Sequence, residues 1–152
     1  MKKLATVCFF FFVVGASAQL LNEKGLYIDN EGNLFNGTIE KTENSVKTDY
    51  TVKEGVINGE ATYYYASGNK METGTFTNGQ KDQKWVRFNE NGTTSAIAFY
   101  TLGKKSGTWL VYDENGKKRF EMNYDNGSKT GVWTNWDENG AIASTKDYSQ
   151  TN

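Results

Sequence analysis

Gly-Thr-Trp-Leu-Val-Tyr-Asp-Glu-Asn-Gly at 107–116, followed by Lys-Lys-Arg-Phe-Glu-Met-Asn-Tyr-Asp-Asn-Gly at 117–127, is the stretch that decides the fold. Residues 107–112 and 118–124 alternate along the chain and are rich in aromatic and β-branched types, which reads as two strands. Asn115-Gly116 and Asn126-Gly127 read as turns, because glycine takes the positive φ that tight hairpins need. Strands joined by connections this short run antiparallel and make a meander.

Outward from this stretch the same unit recurs. Gly68, Gly92, Gly116 and Gly140 stand 24 residues apart, as do Gly55, Gly79, Gly103 and Gly127. Two aromatic columns keep the same register: Tyr64, Phe88, Tyr112 and Trp136 in one, Phe76, Tyr100, Tyr124 and Tyr148 in the other. A fixed period of this size means one supersecondary unit stacked on copies of itself. The clean copies begin at Gly59, Gln83, Gly107 and Gly131. Residues 37–58 form a shorter copy, and Leu26-Tyr27-Ile28 with Asp29-Asn30-Glu31-Gly32 a further half-copy. Atypical terminal units are expected where a stack ends. The expected fold is all-β, an elongated, twisted antiparallel meander of hairpin repeats in a single sheet over residues 26–148. No helix is expected, 19–25 are expected to be disordered and 149–152 frayed.

The side chains on each face depend on the turn at Asp113–Gly116. A type I turn with Gly116 in the left-handed region and a bulge puts Leu110, Tyr112, Phe120, Met122 and Tyr124 on one face, and Trp109, Val111, Arg119, Glu121 and Asn123 on the other. An even closure would instead bring Trp109 beside Phe120. The bulged version sorts apolar from polar more cleanly and is the expectation.

The N-terminus has the layout of an export signal. Lys2 and Lys3 precede an apolar stretch, Leu4 to Val14, and Ala16-Ser17-Ala18 supplies the small residues of a cleavage site before Gln19. Residues 1–18 are therefore expected to be removed, leaving a periplasmic, outer-surface or secreted chain. Cys8 lies within the apolar stretch, the wrong place for a lipid-modified N-terminal cysteine. No later segment is apolar enough to span a bilayer as a helix. Removal leaves 15 Lys and Arg against 18 Asp and Glu, a net charge of −3, and no Cys, His or Pro. Disulfides, His- or Cys-based metal and haem sites, and Ser-His or Cys-His catalysis are thereby excluded. The mild acidity argues against nucleic acid, which needs a basic surface.

The pattern Gly-x-Trp-x-x-aromatic-x-x-Asn-Gly, closed by Tyr/Phe-x-x-Gly-x-Lys-x-Gly, is visible across 107–131 and 131–148 and resembles the longer bacterial variant of the MORN repeat. Gln83 departs from it in place of the opening glycine, Ala61 in place of the tryptophan, and Leu102 in place of the Asn before Gly103. The resemblance implies an elongated β-ribbon with no catalytic centre and no cofactor, serving as a protein-binding or lipid-associated platform. The label antitoxin-like, which such bacterial chains often carry, sits poorly with export and stands as an alternative.

Three features are candidates for a binding surface. The two ring columns, at about 150 Å² per ring, amount to about 1,200 Å² of apolar surface, more than a soluble monomer usually shows. They are expected to bury themselves by curling of the ribbon. Trp85, Trp109 and Trp133 form a ladder with a step of about 9.6 Å, two strand spacings. It either stacks on the sugars of a linear glycan or lids the sheet with each indole N–H turned to water. Turns after each second strand carry Lys81, Lys104-Lys105 and Lys129, opposite an acidic margin of Glu90, Asp113-Glu114 and Asp137-Glu138. These lysines form a rail for anionic lipid or polysaccharide, or simply a solvated margin that keeps the ribbon from aggregating. Asp113–Gly116 lacks the alternating ligands of a calcium loop. The leading expectation is a non-enzymatic surface for a protein partner.

Overall fold

The structure is a computed structural model describing residues 20–149. The signal-like segment and Cys8 lie outside them. The described chain has no helix. Its strands are β1 (Leu20–Leu21), β2 (Tyr27–Ile28), β3 (Gly37–Glu43), β4 (Val46–Lys53), β5 (Val56–Tyr64), β6 (Lys70–Thr77), β7 (Gln80–Phe88), β8 (Thr94–Thr101), β9 (Lys104–Tyr112), β10 (Lys118–Asp125), β11 (Ser128–Trp136) and β12 (Ile142–Asp147). β3 to β12 form one ten-stranded antiparallel meander, each strand beside its sequence neighbours, and β1 pairs with β2 alone. The repeat therefore builds the expected ribbon.

The two margins use different turns. On one, two-residue turns have both φ positive: 49° and 91° at Asn126-Gly127, and 45° and 82° at Leu102-Gly103. That is the hairpin turn whose twist matches the strands. Leu102 adopts it although the usual residue there is Asn. On this margin the glycine N–H of each turn reaches across to the preceding repeat: Gly79 donates to the Ile57 carbonyl, Gly103 to Lys81 and Gly127 to Lys105, at 2.7–2.8 Å. Strands two apart in a flat sheet lie about 9.6 Å from each other. These links therefore require the ribbon to coil tightly along this margin. On the other margin the carboxylate of Asp113 holds a five-residue turn, accepting from the N–H groups of Asn115 and Lys117, and Asp137 does the same in the next repeat. The Asp113 oxygen that a calcium loop would offer is thus spent on its own backbone.

The expected sorting of faces is overturned. Met122 pairs with Trp109, Phe120 with Val111, and Glu121 with Leu110. One face therefore carries Trp109, Val111, Phe120, Met122 and Tyr124, while Leu110, Tyr112, Glu121 and Asn123 share the other. The turn at Gly116 does shift the register by one residue, as expected. A second bulge then shifts it again, because Lys118 pairs with Tyr112 and leaves Arg119 unopposed. Met71, Ser95 and Ala143 are extra residues at the same place in their repeats. Two one-residue bulges restore the parity that one would invert.

Residues 20–36 depart from the sequence reading too. Leu20–Leu21, expected to be disordered, pair with Tyr27–Ile28 around a turn in which the Asn22 carboxamide accepts from the Lys24 and Leu26 N–H groups. The segment is tied to the sheet by Tyr27 N–H to the Gly55 carbonyl and Gly55 N–H to Phe35. Phe35 thereby closes a small core over Ile39 and Val52, 0% and 1% exposed, with Tyr27, Tyr50 and Ile57 packed around it. This end of the ribbon is capped, as the end of a repeat stack needs to be.

Candidate binding surface

The face opened by Trp109 holds a continuous row of rings. From Tyr63 it runs through Trp85, Tyr100, Trp109, Tyr124 and Trp133 to Tyr148, with neighbouring centroids 4.8–6.4 Å apart and Tyr50 and Phe76 joining at the capped end. The tryptophan ladder and the second aromatic column, read separately in the sequence, are thus one interleaved stack. The first column, Tyr64, Phe88, Tyr112 and Trp136, lies on the opposite face. There Tyr64 donates to Asp49 at 2.9 Å, and the Lys118 ammonium sits 4.1 Å from the Trp136 ring. The expectation that the columns bury themselves holds in part, since most of these rings are half-buried.

The indoles do not turn their N–H groups to water. Trp85 donates to the Thr75 carbonyl, Trp109 to Phe99 and Trp133 to Asn123, at 2.9–3.2 Å. Thr75, Phe99 and Asn123 each border a place where the strand pairing skips. The skip is made by the opening residue of each repeat, in left-handed backbone: Gly107 at φ 64°, Gly131 at φ 58°, and Gln83 at φ 60° without glycine's freedom. The indole N–H thus supplies a donor where the ladder is interrupted. Nor is the ladder a platform for sugars. Trp85 is 1% exposed, and each of the three indoles has tyrosine or phenylalanine rings tilted against it.

The lysines are not a free margin either. Lys81 lies 3.7 Å from the Trp85 centroid, Lys105 4.4 Å from Trp109 and Lys129 4.5 Å from Trp133, each also within 5.5 Å of the following tyrosine. Their stems cover the ring row and their ammonium groups sit on it. The sequence reading missed Gly74, on which the Trp85 indole rests directly. It also missed Tyr50 and Tyr63, which extend the row into the shorter copy. Gly74 falls outside both glycine columns, which was its only signal.

Burial dominates the titration of the rings. It pushes the Tyr27, Tyr63, Tyr64 and Tyr100 hydroxyls above the ordinary tyrosine range, helped at Tyr63 by a hydrogen bond to Tyr50 and at Tyr64 by Asp49. The Leu102 N–H, with the Thr77 hydroxyl, holds the Asp82 carboxyl below the usual range. Asp29 is held low in the same way by the Asn33 N–H. Among the described residues no group of His, Cys, Asp and Glu could hold a metal ion. No helix there is long and apolar enough to cross a membrane.

A ribbon of stacked hairpins, with broad faces and no enclosed polar cleft among the described residues, defines a β-repeat protein. The family model described as MORN repeat variant matches residues 57–78, 105–126 and 129–150, and the chain is a MORN-repeat-variant protein. Domains built of such repeats serve generally in binding and scaffolding. No curated protein matches its sequence. Two solved structures of TarM align with it, one of them an S. aureus mutant in complex with fondaparinux, alpha-GlcNAc-glycerol and UDP. Their TM-scores are 0.32 and 0.31 at 13% and 14% identity, too shallow to carry an argument. Each alignment covers 76% of this chain and 21% of the other, so the chain spans about a fifth of those proteins.

Proposed function

We propose that the chain is an exported, non-enzymatic repeat protein that holds a protein partner at the C-terminal end of its ribbon. The carrying observation is the asymmetry of the two ends. Residues 20–36 cover the first strands. The cap leaves Leu20, Leu21 and Leu34 exposed but encloses Phe35, Ile39 and Val52, whereas at the far end every residue of β12 is exposed and Phe120, Val132 and Ile142 stand in water over no enclosed core, Ile142 at 64%. Exposed strand edges and apolar side chains are what a partner strand or surface takes up. The charged start, apolar stretch and small-residue site before Gln19 support export. The lack of His and Cys after that site supports a binding role over catalysis.

The test is affinity capture with the chain beginning at Gln19 from its own periplasm or medium, beside an Ile142→Asp variant. One stoichiometric protein, lost with Ile142→Asp while the melting temperature stays the same, supports the reading. Capture unchanged by Ile142→Asp, or no protein captured at all, refutes it.

A further inference from the structure

We propose a second, independent site on the aromatic face: a hollow near β12 that takes a carboxylated sugar of a linear anionic polysaccharide. Charge on this face is segregated in a way the overall balance hides. A single cross-strand row runs through Tyr63, Glu72, Arg87, Ala96, Val111, Phe120, Asn135 and Ser144. The ring row lies beside it. From β6 onward the charged residues whose pairing places them on this face are Lys81, Arg87, Lys105, Lys129 and Lys146, against Glu72 alone. Glu72 is committed to Lys81 at 3.1 Å and stands opposite Arg87. Among the described residues, Lys105, Lys129 and Lys146 have no carboxylate within ion-pairing distance. They are held instead on rings, with Lys129 and Lys146 both 5.1 Å from Tyr148. An ammonium already fixed in place loses less freedom when it meets an anion than a free lysine would.

Beside Lys146 the face has a hollow of about 300 Å³ lined by Phe120, Met122, Trp133, Asn135, Ser144 and Lys146. Its floor is apolar, and Phe120 is left 42% exposed at its side. Besides Thr134 and Thr145, its lining offers the Asn135 amide, the Ser144 hydroxyl and the Lys146 ammonium, whose residues the strand pairing puts on this face. That combination suits a sugar acid. The C–H face of the ring lies on Phe120 and the edge of Trp133, hydroxyls bond to Asn135 and Ser144, and the carboxylate meets Lys146. A neutral apolar ligand would leave the ammonium unanswered, and a bare anion would leave the aromatic floor unused. One repeat back Met122 stands where Lys146 stands here, and Phe120 itself where Ser144 stands, so the hollow belongs to the last repeat. Lys129 follows on the adjacent strand β11 and Lys105 one repeat further back on β9, a row of cations along which a chain bearing acidic groups can lie.

The probe is an oligogalacturonide, titrated calorimetrically against the chain beginning at Gln19 at low and high salt. The expected result is saturable binding that Lys146→Gln weakens about tenfold and Ser144→Val weakens measurably. Lys118→Gln, on the opposite face, should leave it unchanged, and all three variants should keep the parent melting temperature. Dextran, single-stranded DNA and phosphatidylglycerol vesicles are the competing ligands. Equal binding to any of them, or oligogalacturonide binding indifferent to Lys146→Gln, overturns the proposal. Neither result bears on partner capture at Ile142, which lies on the opposite face.

Discussion

Gly74 is the position where a single methyl group tests the packing of the ring row. Its φ is not in the left-handed region, so alanine would fit the backbone. Strand alanine is even favoured over glycine by about 0.5–1 kcal/mol. The obstacle is Trp85: a Cβ on residue 74 falls within the indole, 2.6 Å from Cγ and nearer still to Cδ2 and Cε2. The neighbour in the way is a fused ring, held by Phe76 at 5.1 Å, Lys81 at 3.7 Å and the hydrogen bond to Thr75. Overpacking of this kind costs about 1–3 kcal/mol, and an indole lifted off its carbonyl forfeits about 1 more. Net of the propensity gain, Gly74→Ala should therefore destabilise by about 1–3 kcal/mol, below the roughly 3–5 kcal/mol expected for Trp85→Ala. The assay is urea unfolding of the parent, Gly74→Ala, Trp85→Leu and the double variant. If the clash is the cause, the double variant loses less than the sum of the singles by at least about 1 kcal/mol. A loss under about 0.5 kcal/mol for Gly74→Ala, or strict additivity, refutes the reasoning. The repeat equivalents point the same way: Ala98 and Met122 stand one and two repeats after Gly74, and of Trp85, Trp109 and Trp133 only the first is fully buried.

Gln83→Gly should stabilise the chain by about 0.5–1 kcal/mol. It relieves a left-handed L-residue costing about 1–2 kcal/mol and returns part of that as lost chain flexibility. A melting temperature that falls would refute the reading of residue 83 as a strained substitute. Raising the pH should unfold the protein. Tyrosines whose folded pKa is raised stabilise fully below the unfolded value of about 10, and that contribution is lost as pH rises through the folded values. Phenolate absorbance and circular dichroism should change together, and early ionisation in a still-folded chain would contradict burial of Tyr63 and Tyr100. Hydrogen exchange should be slowest in β4 to β7 and fastest in β11 and β12, since the fully buried side chains all lie between Phe35 and Trp85. Uniform protection along the ribbon would show a single cooperative unit instead.

Much of the architecture was legible because its period is long and its signals repeat. Asn126-Gly127 can hardly be anything but a turn, and 24-residue columns of rings leave few folds. What escaped the sequence was parity. The bulge at Gly116 announces itself by a glycine, whereas the bulges at Met71, Ser95, Arg119 and Ala143 occur at four unlike residues with no backbone requirement in common. Without them Trp109 falls on the wrong face, and the lysines and tryptophans look like separate surfaces. The cap was misread for a similar reason. Residues 20–25 carry little hydrophobic pattern, and their order comes from the Asn22 side chain, with Tyr27 and Phe35 tying the next residues to the sheet. The hollow beside Lys146 could not be foreseen, because it needs Phe120, Asn135 and Ser144 to share a face.

A one-layer sheet has no second layer to bury its apolar face against, and this chain meets the difficulty with covalently local means. The copies beginning at Gln83, Gly107 and Gly131 each lay a tryptophan over the strand before it, let the indole N–H serve a carbonyl beside the break in the ladder, and are covered by the lysine just upstream. Successive repeats do this with diminishing completeness. Trp85 is buried among Tyr63, Phe76 and Tyr100 over a glycine, whereas Trp133 and Met122 line an open hollow. The same trend that thins the core toward β12 frees Lys129 and Lys146 from carboxylates and leaves Phe120 and Ile142 in water. Enclosed packing is thus concentrated at the capped end, while β12 at the other is exposed along its whole length. That gradient, and not any one cluster of residues, is what gives the ribbon a direction and places both proposed contacts in its last repeats.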